Sequence, residues 1–349
     1  MPQQMGTMMR RLLLTASALA FLTPSAFAET LVVSSWGGSF RDLIAEAIAT
    51  KFTEETGVTV EFITGGTIDR LNQANLSKDN PESDVTFTTS HVGWLYRNQG
   101  LFEDLDMSKI PNAANLVEQA KISPSHIGAW AYVYTIGYLP DLVPQDITFE
   151  SWNDLWSPEL KGMIAVPDFD PSHIIAVAAK LEGVDIENWQ QAEDKLRALQ
   201  PNLKAFYTND ANSQQLLSTG ETPVQVLLSM NAYHMQSEGL DVKLAIPKEG
   251  AVLGIDTMGI TKGSTKQDLA YKFIDTALDP EVQARIAEIK KGSPVVSNVQ
   301  LPEELASLPG IFTTPEQWES QTLIIPHQLR AEKTGEWRQW FSENMTAGN

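Results

Sequence analysis

The chain has 349 residues, no cysteine and a formal net charge of −19. This length is sufficient for two globular domains, and a hydrophobic fraction of 42% allows a packed core without disulfides. The acidic balance argues against nucleic acid or an anionic membrane surface as a partner, because phosphate binding requires clustered Lys and Arg.

The first 28 residues have the pattern of an export signal. Arg10 and Arg11 precede the apolar run LLLTASALAFL, and Ala26 and Ala28 provide the small-x-small pattern of signal peptidase cleavage. The apolar run is too short for an ordinary membrane span. We therefore expect cleavage after Ala28, with a retained membrane anchor as the alternative.

Strand-like and helix-like patterns alternate from residue 31 onward. LVVSS precedes a predicted helix over residues 39–55, GVTVEFIT precedes TIDRLNQANL, and DVTFTTS precedes HVGWLYRNQG. Farther along, GMIAVPDFD precedes PSHIIAVAAKLEG, and TPVQVLLS precedes MNAYHMQSEG. This order predicts an α/β fold with largely parallel sheets, in which ligands bind beyond the carboxyl ends of the strands.

Two longer strand patterns interrupt this alternation, at residues 127–143 and 253–263. Since no low-complexity linker is present, we predict two lobes joined by ordered crossing strands. The predicted first lobe is 29–136, continued by about 256–300, and the second is 137–255, continued by about 301–349. Between the crossings, Trp152 and Trp156 share one face of a helical turn and are assigned to the core.

Four stretches together carry a family resemblance: SSWGGSF, SWNDLWSPELKGMIAVPD, PKEGAVLGIDTMGI and AYKFIDTALDPEVQARIAE. Their order along an acidic, exported chain resembles the periplasmic solute-binding proteins of polyamine-type (spermidine/putrescine-like) ABC importers. The resemblance implies a two-lobed α/β venus-flytrap receptor with a hinge of crossing strands, which closes over a small ligand and delivers it to an inner-membrane permease. It implies a periplasmic monomer without enzymatic activity, cofactor or metal.

The resemblance also implies the ligand chemistry. In polyamine-binding members, aromatic side chains stack on the methylene chain and carboxylates bind the ammonium groups. Trp36 matches the first aromatic wall, while Asp168 in VPDFD and Asp256 in GIDTMGI match acidic positions. Asp170 is the better helix N-cap because it precedes Pro171, which leaves Asp168 for the cleft. A salt bridge across the hinge is the alternative role of Asp256.

The chain also departs from the family pattern. PSH stands where a further acidic residue is expected, and three expected aromatic positions hold Met230, ahead of Asn231, Gly254 and Ser293. The aromatic wall is thereby reduced to Trp36, with His91, Trp130 and Tyr132 as further candidates. These departures argue against a long linear polyamine.

Two polar turns open helices after strands: Gly37 to Ser39, and Thr89 to His91. Backbone N–H groups at a helix start favour an anion, so these turns and the two aspartates together fit a zwitterion such as a 4-aminobutyrate-like compound. Alternatively, the glycines permit close packing and Ser39 and Ser90 are N-caps. The candidate ligand-binding residues are Trp36, Gly37, Gly38, Ser39, Thr89, Ser90, His91, Asp168, Asn231 and Asp256.

Two other functions remain open at this point. A secreted enzyme would use Asp168 and Asp256 as acid and base, as in glycoside chemistry. A periplasmic sensor partner would present the same ligand to a membrane receptor. The five scattered histidines show no metal-ligand spacing, and no G-x-S-x-G nucleophile turn occurs.

Overall fold

A computed structural model of the chain describes residues 29–346. The predicted export signal and its cleavage position lie outside this range. Within it, no helix is both long enough and apolar enough to cross a membrane.

The strands of the described residues form one ten-stranded sheet. In chain order they are β1 Thr30–Ser35, β2 Thr59–Thr64, β3 Val85–Thr89, β4 Ile127–Tyr138, β5 Ile164–Pro167, β6 Leu203–Tyr207, β7 Val224–Leu228, β8 Lys243–Ala245, β9 Ala251–Ile260 and β10 Thr322–Leu323. The spatial order is β2-β1-β3-β9-β4-β7-β5-β6, with β8 pairing with β4 and β10 with β9.

The sheet is parallel on its two sides and antiparallel in its middle. β1 pairs in parallel with β2 and β3, and β5 with β6 and β7. The pairs β3–β9, β9–β4 and β4–β7 are antiparallel. The prediction of a largely parallel sheet is therefore wrong for the central strands β3, β9, β4 and β7. The reason is topological: the chain crosses from one lobe to the other in β4 and returns in β9.

Helices cover both sides of the sheet. They are α1 Ser39–Leu43, α2 Thr50–Thr56, α3 Thr67–Leu76, α4 Ser90–Asn98, α5 Ser172–Leu181, α6 Glu193–Leu199, α7 Asp210–Ser218, α8 Ser229–Ser237, α9 Gln267–Ala277, α10 Pro280–Lys290, α11 Glu303–Ala306, α12 Pro315–Ser320 and α13 His327–Phe341. A π-helical turn, Ile44–Ala49, joins α1 to α2, so the helix predicted over 39–55 is continuous.

Both crossing strands are buried along most of their length, and Tyr134 marks the passage between lobes. In β4, Tyr134 lies opposite Val252 of β9 and also opposite Leu228 of β7. One residue of β4 thus belongs to the ladders of both halves. The crossings predicted from residues 127–143 and 253–263 are the observed β4 and β9.

The segments after β9 return to both sides of the molecule. In α9, Phe273 packs against Phe52 with ring centroids 5.3 Å apart, and this fixes α9 on the side of β1. In α13, Trp340 contacts Trp189 at 5.1 Å on the other side. The predicted continuations of the two lobes, by about 256–300 and about 301–349, stay predictions, since α13 also packs against α4.

The tryptophans assigned to the core differ in burial. Trp152 is fully buried, and its indole donates a hydrogen bond of 2.7 Å to the carbonyl of Gly250. Trp156 is partly buried under Lys195, whose Nζ lies 4.9 Å from the ring centroid. The segment that carries both is a short 3₁₀-helix, Trp152–Trp156.

Candidate functional site

Asp256 lies at the centre of the sheet, in the middle of β9. It is directly opposite Thr89 on β3 and Trp130 on β4, so the three side chains share one face. The Asp256 residue is 3% exposed, and its Oδ1 accepts a hydrogen bond of 3.3 Å from the hydroxyl of Tyr132. An acidic side chain is thereby held inside the sheet that joins the two lobes.

The surroundings of Asp256 favour its neutral form. Burial raises the pKa of Asp256 to about 7, although the Trp130 indole, the Tyr132 hydroxyl and the Arg70 guanidinium each oppose that increase. The Trp130 N–H stabilises the carboxylate without the alignment of a full hydrogen bond. Among the described residues the carboxylate forms no ion pair, so the expected alternative, a salt bridge across the hinge, is not formed there.

Tyr132 fills the space left by Gly254, the position where the family pattern has a tryptophan. A Cβ placed on Gly254 would lie 2.1 Å from a ring carbon of Tyr132, well inside contact distance. Gly254 is therefore required for the tyrosine to lie flat against β9. A ring from β4 thus occupies the space beside Gly254 on β9, and the role of Tyr132 as an aromatic wall for a ligand stays a prediction.

A row of three rings leads from Asp256 toward the second lobe; we call Tyr132, Tyr134 and His173 the ring row. The centroids of Tyr132 and Tyr134 are 6.4 Å apart, and Tyr134 stacks on His173 at 3.9 Å. His173 Nε2 then accepts a hydrogen bond of 3.0 Å from Arg330. Asp256 and Arg330 consequently lie at opposite ends of the ring row.

Arg330, at the start of α13, forms a buried ion pair with Asp170. Its Nη2 lies 2.5 Å from Asp170 Oδ2. Although burial alone would raise the pKa of Asp170, the Arg330 guanidinium holds it well below its usual range. Asp170 Oδ1 also accepts from the backbone N–H of Ser172 at 3.1 Å. The N-cap position of α5 is Pro171, so the predicted N-cap, Asp170, lies one residue before it.

Asp168 lies apart from this pair. It is partly buried, and burial raises its pKa while the Arg338 guanidinium opposes the increase. Arg338 is an exposed residue near the end of α13, whereas Asp170 contacts the buried start of that helix. The cleft role predicted for Asp168 stays a prediction.

Trp36 follows β1 and is held by α3. Its indole donates a hydrogen bond of 2.8 Å to Thr67, and the Arg70 guanidinium lies 5.1 Å from the ring centroid. Phe40 contacts the same ring system at 5.6 Å. The side chain is only partly buried, so part of its surface stays available to a ligand.

The glycine turn after Trp36 is exposed. Gly38 has φ 60°, a backbone conformation that favours glycine, and its carbonyl accepts from Asp42 at 3.0 Å. Ser39 is not an N-cap, because Gly38 holds that position; its hydroxyl accepts from Lys290 at 2.7 Å. A Cβ placed on Gly37 would lie 3.8 Å from Thr64, so close packing does not require a glycine there.

The second polar turn has several unpaired groups. Thr89 is the N-cap of α4, yet its Oγ1 is buried and has no partner among the described residues. The alternative role of Ser90 as an N-cap is therefore wrong; its hydroxyl is hydrogen-bonded to His327 Nδ1 at 2.8 Å. Burial and the Arg330 guanidinium lower the pKa of His91 to about 3, and its Nδ1 is unpaired within residues 29–346.

Asn231 lines a cavity of about 520 Å³ whose other lining residues come from both predicted lobes. The cavity is lined on one side by Ser39 and Phe40 and on the other by Asp210 and Asn231. Asn231 Nδ2 donates a hydrogen bond of 3.0 Å to Asp210 Oδ1. Burial raises the pKa of Asp210, which the hydrogen bond from Asn231 opposes.

Sequence reasoning missed Asp210, Tyr134, His173 and Arg330. Asp210 begins α7, with two residues between it and the end of β6, and Asn209 is the N-cap of that helix. The rule that identified the other turns, polar residues between a strand and a helix, would have found it. Arg330 lies inside a helix far from any strand end, and no sequence signal identifies it. The described residues contain no group of three or more potential metal ligands.

Polar residues that follow strands of both α/β halves, among them Thr89 at the end of β3 and Asn231 after β7, lie near the crossing strands. This is the arrangement of a two-lobed solute-binding protein. The chain belongs to the family of bacterial extracellular solute-binding proteins, whose sequence profile matches residues 47–313.

Relatives of known name agree with this assignment. The chain is 28% identical over 294 residues to the spermidine/putrescine-binding periplasmic protein of Escherichia coli, a match that covers 80% of this chain and 82% of that protein. It is 27% identical over 352 residues to the putrescine/cadaverine-binding protein of Pseudomonas aeruginosa, covering 93% and 97%. The crystal structure of an ABC transporter protein from Clostridium perfringens superposes with a TM-score of 0.79, at 30% identity, over 90% of this chain and 99% of that one.

The family and the structural neighbour confirm the predicted family resemblance and the two-lobed fold. They also decide against the secreted enzyme among the functional alternatives, since the family consists of solute-binding proteins and not enzymes. The chain is therefore a solute-binding protein rather than a hydrolase that uses two aspartates.

Proposed function

We propose that this protein is the periplasmic substrate-binding component of an ABC importer. It captures a small amine-bearing solute, polyamine or 4-aminobutyrate-like, between its lobes and delivers it to a permease in the inner membrane. The chain is exported with cleavage after Ala28, and the receptor acts as a monomer. The ten candidate residues from Trp36 to Asp256 are the proposed ligand contacts, to which we add Asp210.

The observation that carries this proposal is the buried carboxyl group of Asp256, which accepts a hydrogen bond from Tyr132 but has no ion-pair partner among the described residues. A buried carboxylate without a cation is costly, and the protein accordingly raises the pKa of Asp256 to about 7. An ammonium group placed beside it would supply the missing charge through bonds of about 1.5–3 kcal/mol each. Asp210, whose pKa burial also raises, provides a second acidic group in the shared cavity.

The names of the relatives support the same chemistry. The Escherichia coli relative is named for spermidine and putrescine, and the Pseudomonas aeruginosa relative for putrescine and cadaverine. All these compounds are linear amines. These relatives, at 27–28% identity, support an amine as the ligand, and the departures at Met230, Gly254 and Ser293 argue against a long linear polyamine.

The proposal is tested by adding ligands to the purified mature protein. We expect 1,4-diaminobutane or 4-aminobutyrate to raise the melting temperature by mass action, and glucose and succinate to leave it unchanged. A protein stabilised by glucose alone would contradict the amine assignment. Native mass spectrometry of protein purified from its host would identify any co-purified amine by its mass.

Solution scattering tests the transport mechanism independently. A receptor whose lobes close on its ligand should have a smaller radius of gyration with saturating ligand than without it. Identical scattering profiles in both conditions would count against closure, whichever ligand binds.

A further inference from the structure

Two opposite charges border the cavity that Asn231 lines. Asp210 belongs to the second predicted lobe, and Lys290, at the end of α10, belongs to the first. Within residues 29–346 the two side chains form no salt bridge with each other. The cavity measures about 520 Å³, which is within the size range of small-molecule sites. The space between the two charges is therefore available to a ligand.

The carboxylate of Asp210 is oriented by two amides and keeps one oxygen free. Its Oδ1 accepts from Asn231 Nδ2 at 3.0 Å, and Asn231 Oδ1 accepts in turn from Gln214 Nε2 at 3.2 Å. Its Oδ2 has no hydrogen-bond partner among the described residues and is not closed to solvent. Burial raises the pKa of Asp210, whereas the bond from Asn231 and the Lys290 ammonium oppose the increase. An ammonium group of a ligand can bind Oδ2.

The ammonium of Lys290 is held at the cavity wall by Ser39 and Phe40. Its Nζ donates to Ser39 Oγ at 2.7 Å and lies 4.7 Å from the centroid of the Phe40 ring. An ammonium has three N–H donors, and this is the one hydrogen bond that Nζ makes in the described part of the chain. Burial lowers the pKa of the half-buried Lys290, whereas the Asp42 and Asp210 carboxylates oppose the decrease. Lys290 thus retains donors for a ligand.

The other titratable groups that border the cavity have partners of their own. Glu288 is exposed and pairs with Arg285, and Lys291 Nζ donates to the Glu288 carbonyl at 2.7 Å. His234 is also exposed, and its Nε2 lies 3.6 Å from a carboxylate oxygen of Glu238. The free carboxylate oxygen and the half-buried ammonium described above are therefore the charges that a ligand meets inside the cavity.

We propose that Lys290 is a specificity residue, which selects amines with a hydrogen-bond acceptor at the far end and disfavours diamines. An amine bound to Asp210 has its far end in a cavity whose opposite wall carries Lys290. A second ammonium there would be repelled, because both groups are cations and neither can accept a hydrogen bond. A hydroxyl or a carboxylate would accept from the unused donors. This inference rests on the proposed function and narrows its ligand class.

The first test compares wild type with Lys290→Met, which keeps an apolar stem beside Phe40 and removes the charge. The probes are 1,4-diaminobutane, 4-amino-1-butanol and 4-aminobutyrate, titrated by calorimetry. We expect 1,4-diaminobutane to bind wild type most weakly, and its affinity relative to 4-amino-1-butanol to rise at least about tenfold in the variant. A relative gain of this kind cannot come from misfolding.

The outcomes separate this inference from the proposed function. Tightest binding of 1,4-diaminobutane by wild type, or an unchanged affinity ratio in the Lys290→Met variant, would overturn the inference and leave the proposed function intact. Failure of all three probes to bind wild type would overturn both.

Two control variants distinguish the position of the charge from its sign. Lys291→Met removes the adjacent cation, which is bound to the Glu288 carbonyl, and should change the affinity ratio by less than about threefold. Lys290→Arg keeps the positive charge and should keep the discrimination against 1,4-diaminobutane. Equal shifts for Lys291→Met and Lys290→Met, or loss of discrimination in Lys290→Arg, would overturn the proposal.

Asp210→Asn tests the other wall of the cavity. Asparagine keeps an acceptor for Asn231 and removes the charge that would bind the ammonium of each probe. We expect all three probes to lose at least about tenfold in affinity. The melting temperature of the ligand-free variant should not fall, because the substitution relieves a buried charge. Unchanged affinities would show that Asp210 does not bind the amine and would overturn the proposal.

Discussion

The hydroxyl of Tyr132 donates a hydrogen bond of 3.3 Å to Asp256, one strand away. The ring of the same tyrosine covers Gly254, two residues before the aspartate on β9. One side chain thus replaces the aromatic expected at position 254 and orients the carboxyl group. Because Gly254 has no side chain, the Tyr132 ring can lie against β9 and its hydroxyl can reach Asp256.

Gly254→Ala should therefore damage both binding and stability. The new Cβ would lie 2.1 Å from the ring, so Tyr132 must move and its bond to Asp256 must break. Overpacking of this kind costs about 1–3 kcal/mol, and we expect a melting temperature several degrees lower. Amine affinity, measured by calorimetry, should fall by about tenfold.

Gly335→Ala is the control for this substitution. Gly335 lies in α13 with no atom near its added Cβ, so alanine there should slightly raise the melting temperature and leave affinity unchanged. Normal binding by the Gly254→Ala variant would show that the contact between Tyr132 and Asp256 is not needed.

Asp256→Asn should change how the stability of the ligand-free protein depends on pH. The pKa of Asp256 is about 7 in the folded protein, against 3.8 for an ordinary aspartate carboxyl. Because the folded state then binds the proton more tightly than the unfolded state, wild-type stability from this group falls as pH rises from about 4 to 7. Asparagine does not titrate. Between pH 4 and pH 7, the free energy of unfolding of the variant should therefore rise by up to about 4 kcal/mol relative to that of the wild type.

Urea unfolding at about pH 4 and pH 8 measures that difference, and other titrating groups cancel because both proteins contain them. Amine binding gives an independent check: the affinity of the wild type should rise toward pH 7 as Asp256 loses its proton, whereas the variant should bind weakly at both values. A stability difference that does not vary with pH would contradict the raised pKa of Asp256.

Trp36→Ala should weaken ligand binding more than it weakens the fold. Trp36 is partly buried, and loss of a cation–aromatic contact in a desolvated site costs about 2 kcal/mol, or roughly thirtyfold in affinity. Trp156→Ala is a close control, because Trp156 is also partly buried, donates its indole N–H and lies under a cationic side chain. A Trp36→Ala protein that melts early yet binds normally would exclude Trp36 as a ligand wall.

Local patterns were enough to predict most strands and helices and the two crossings, because each depends on periodicity within a short segment. The direction of the central strands was not predictable in this way. Whether β9 runs parallel or antiparallel to β3 is decided by where the chain re-enters the first lobe, and no local pattern records this.

In the candidate site, too, some features could be predicted from local sequence and others depend on the tertiary fold. Asp256 and Trp36 were predicted from motifs, and Asp170 was predicted as an N-cap from the proline after it, although the N-cap of α5 is that proline, Pro171. The use of Asp170 as the partner of Arg330 depends on a helix 160 residues later in the chain. Tyr132 was found only as one of several candidates, since its position over Gly254 requires the register between β4 and β9.

The last prediction concerns the hydrogen bond of 2.8 Å between Ser90 and His327, which joins α4 to the start of α13. Near its other end, α13 packs through Trp340 against Trp189, on the opposite side of the sheet from Ser90. In the predicted division into lobes, this bond therefore links the two halves and favours the closed state. A hydrogen bond contributes about 0.5–1.5 kcal/mol.

Ser90→Ala should accordingly shift the ligand-free protein toward an open form, with a larger radius of gyration and a ligand affinity lower by about two- to tenfold. Ser123→Ala is the matched control, because Ser123 bonds His126 Nδ1 at 2.6 Å within the first lobe and its loss should not alter closure. Solution scattering and calorimetry on both variants distinguish the two serines. Equal radii of gyration for the two ligand-free variants would show that the bond between Ser90 and His327 does not control closure.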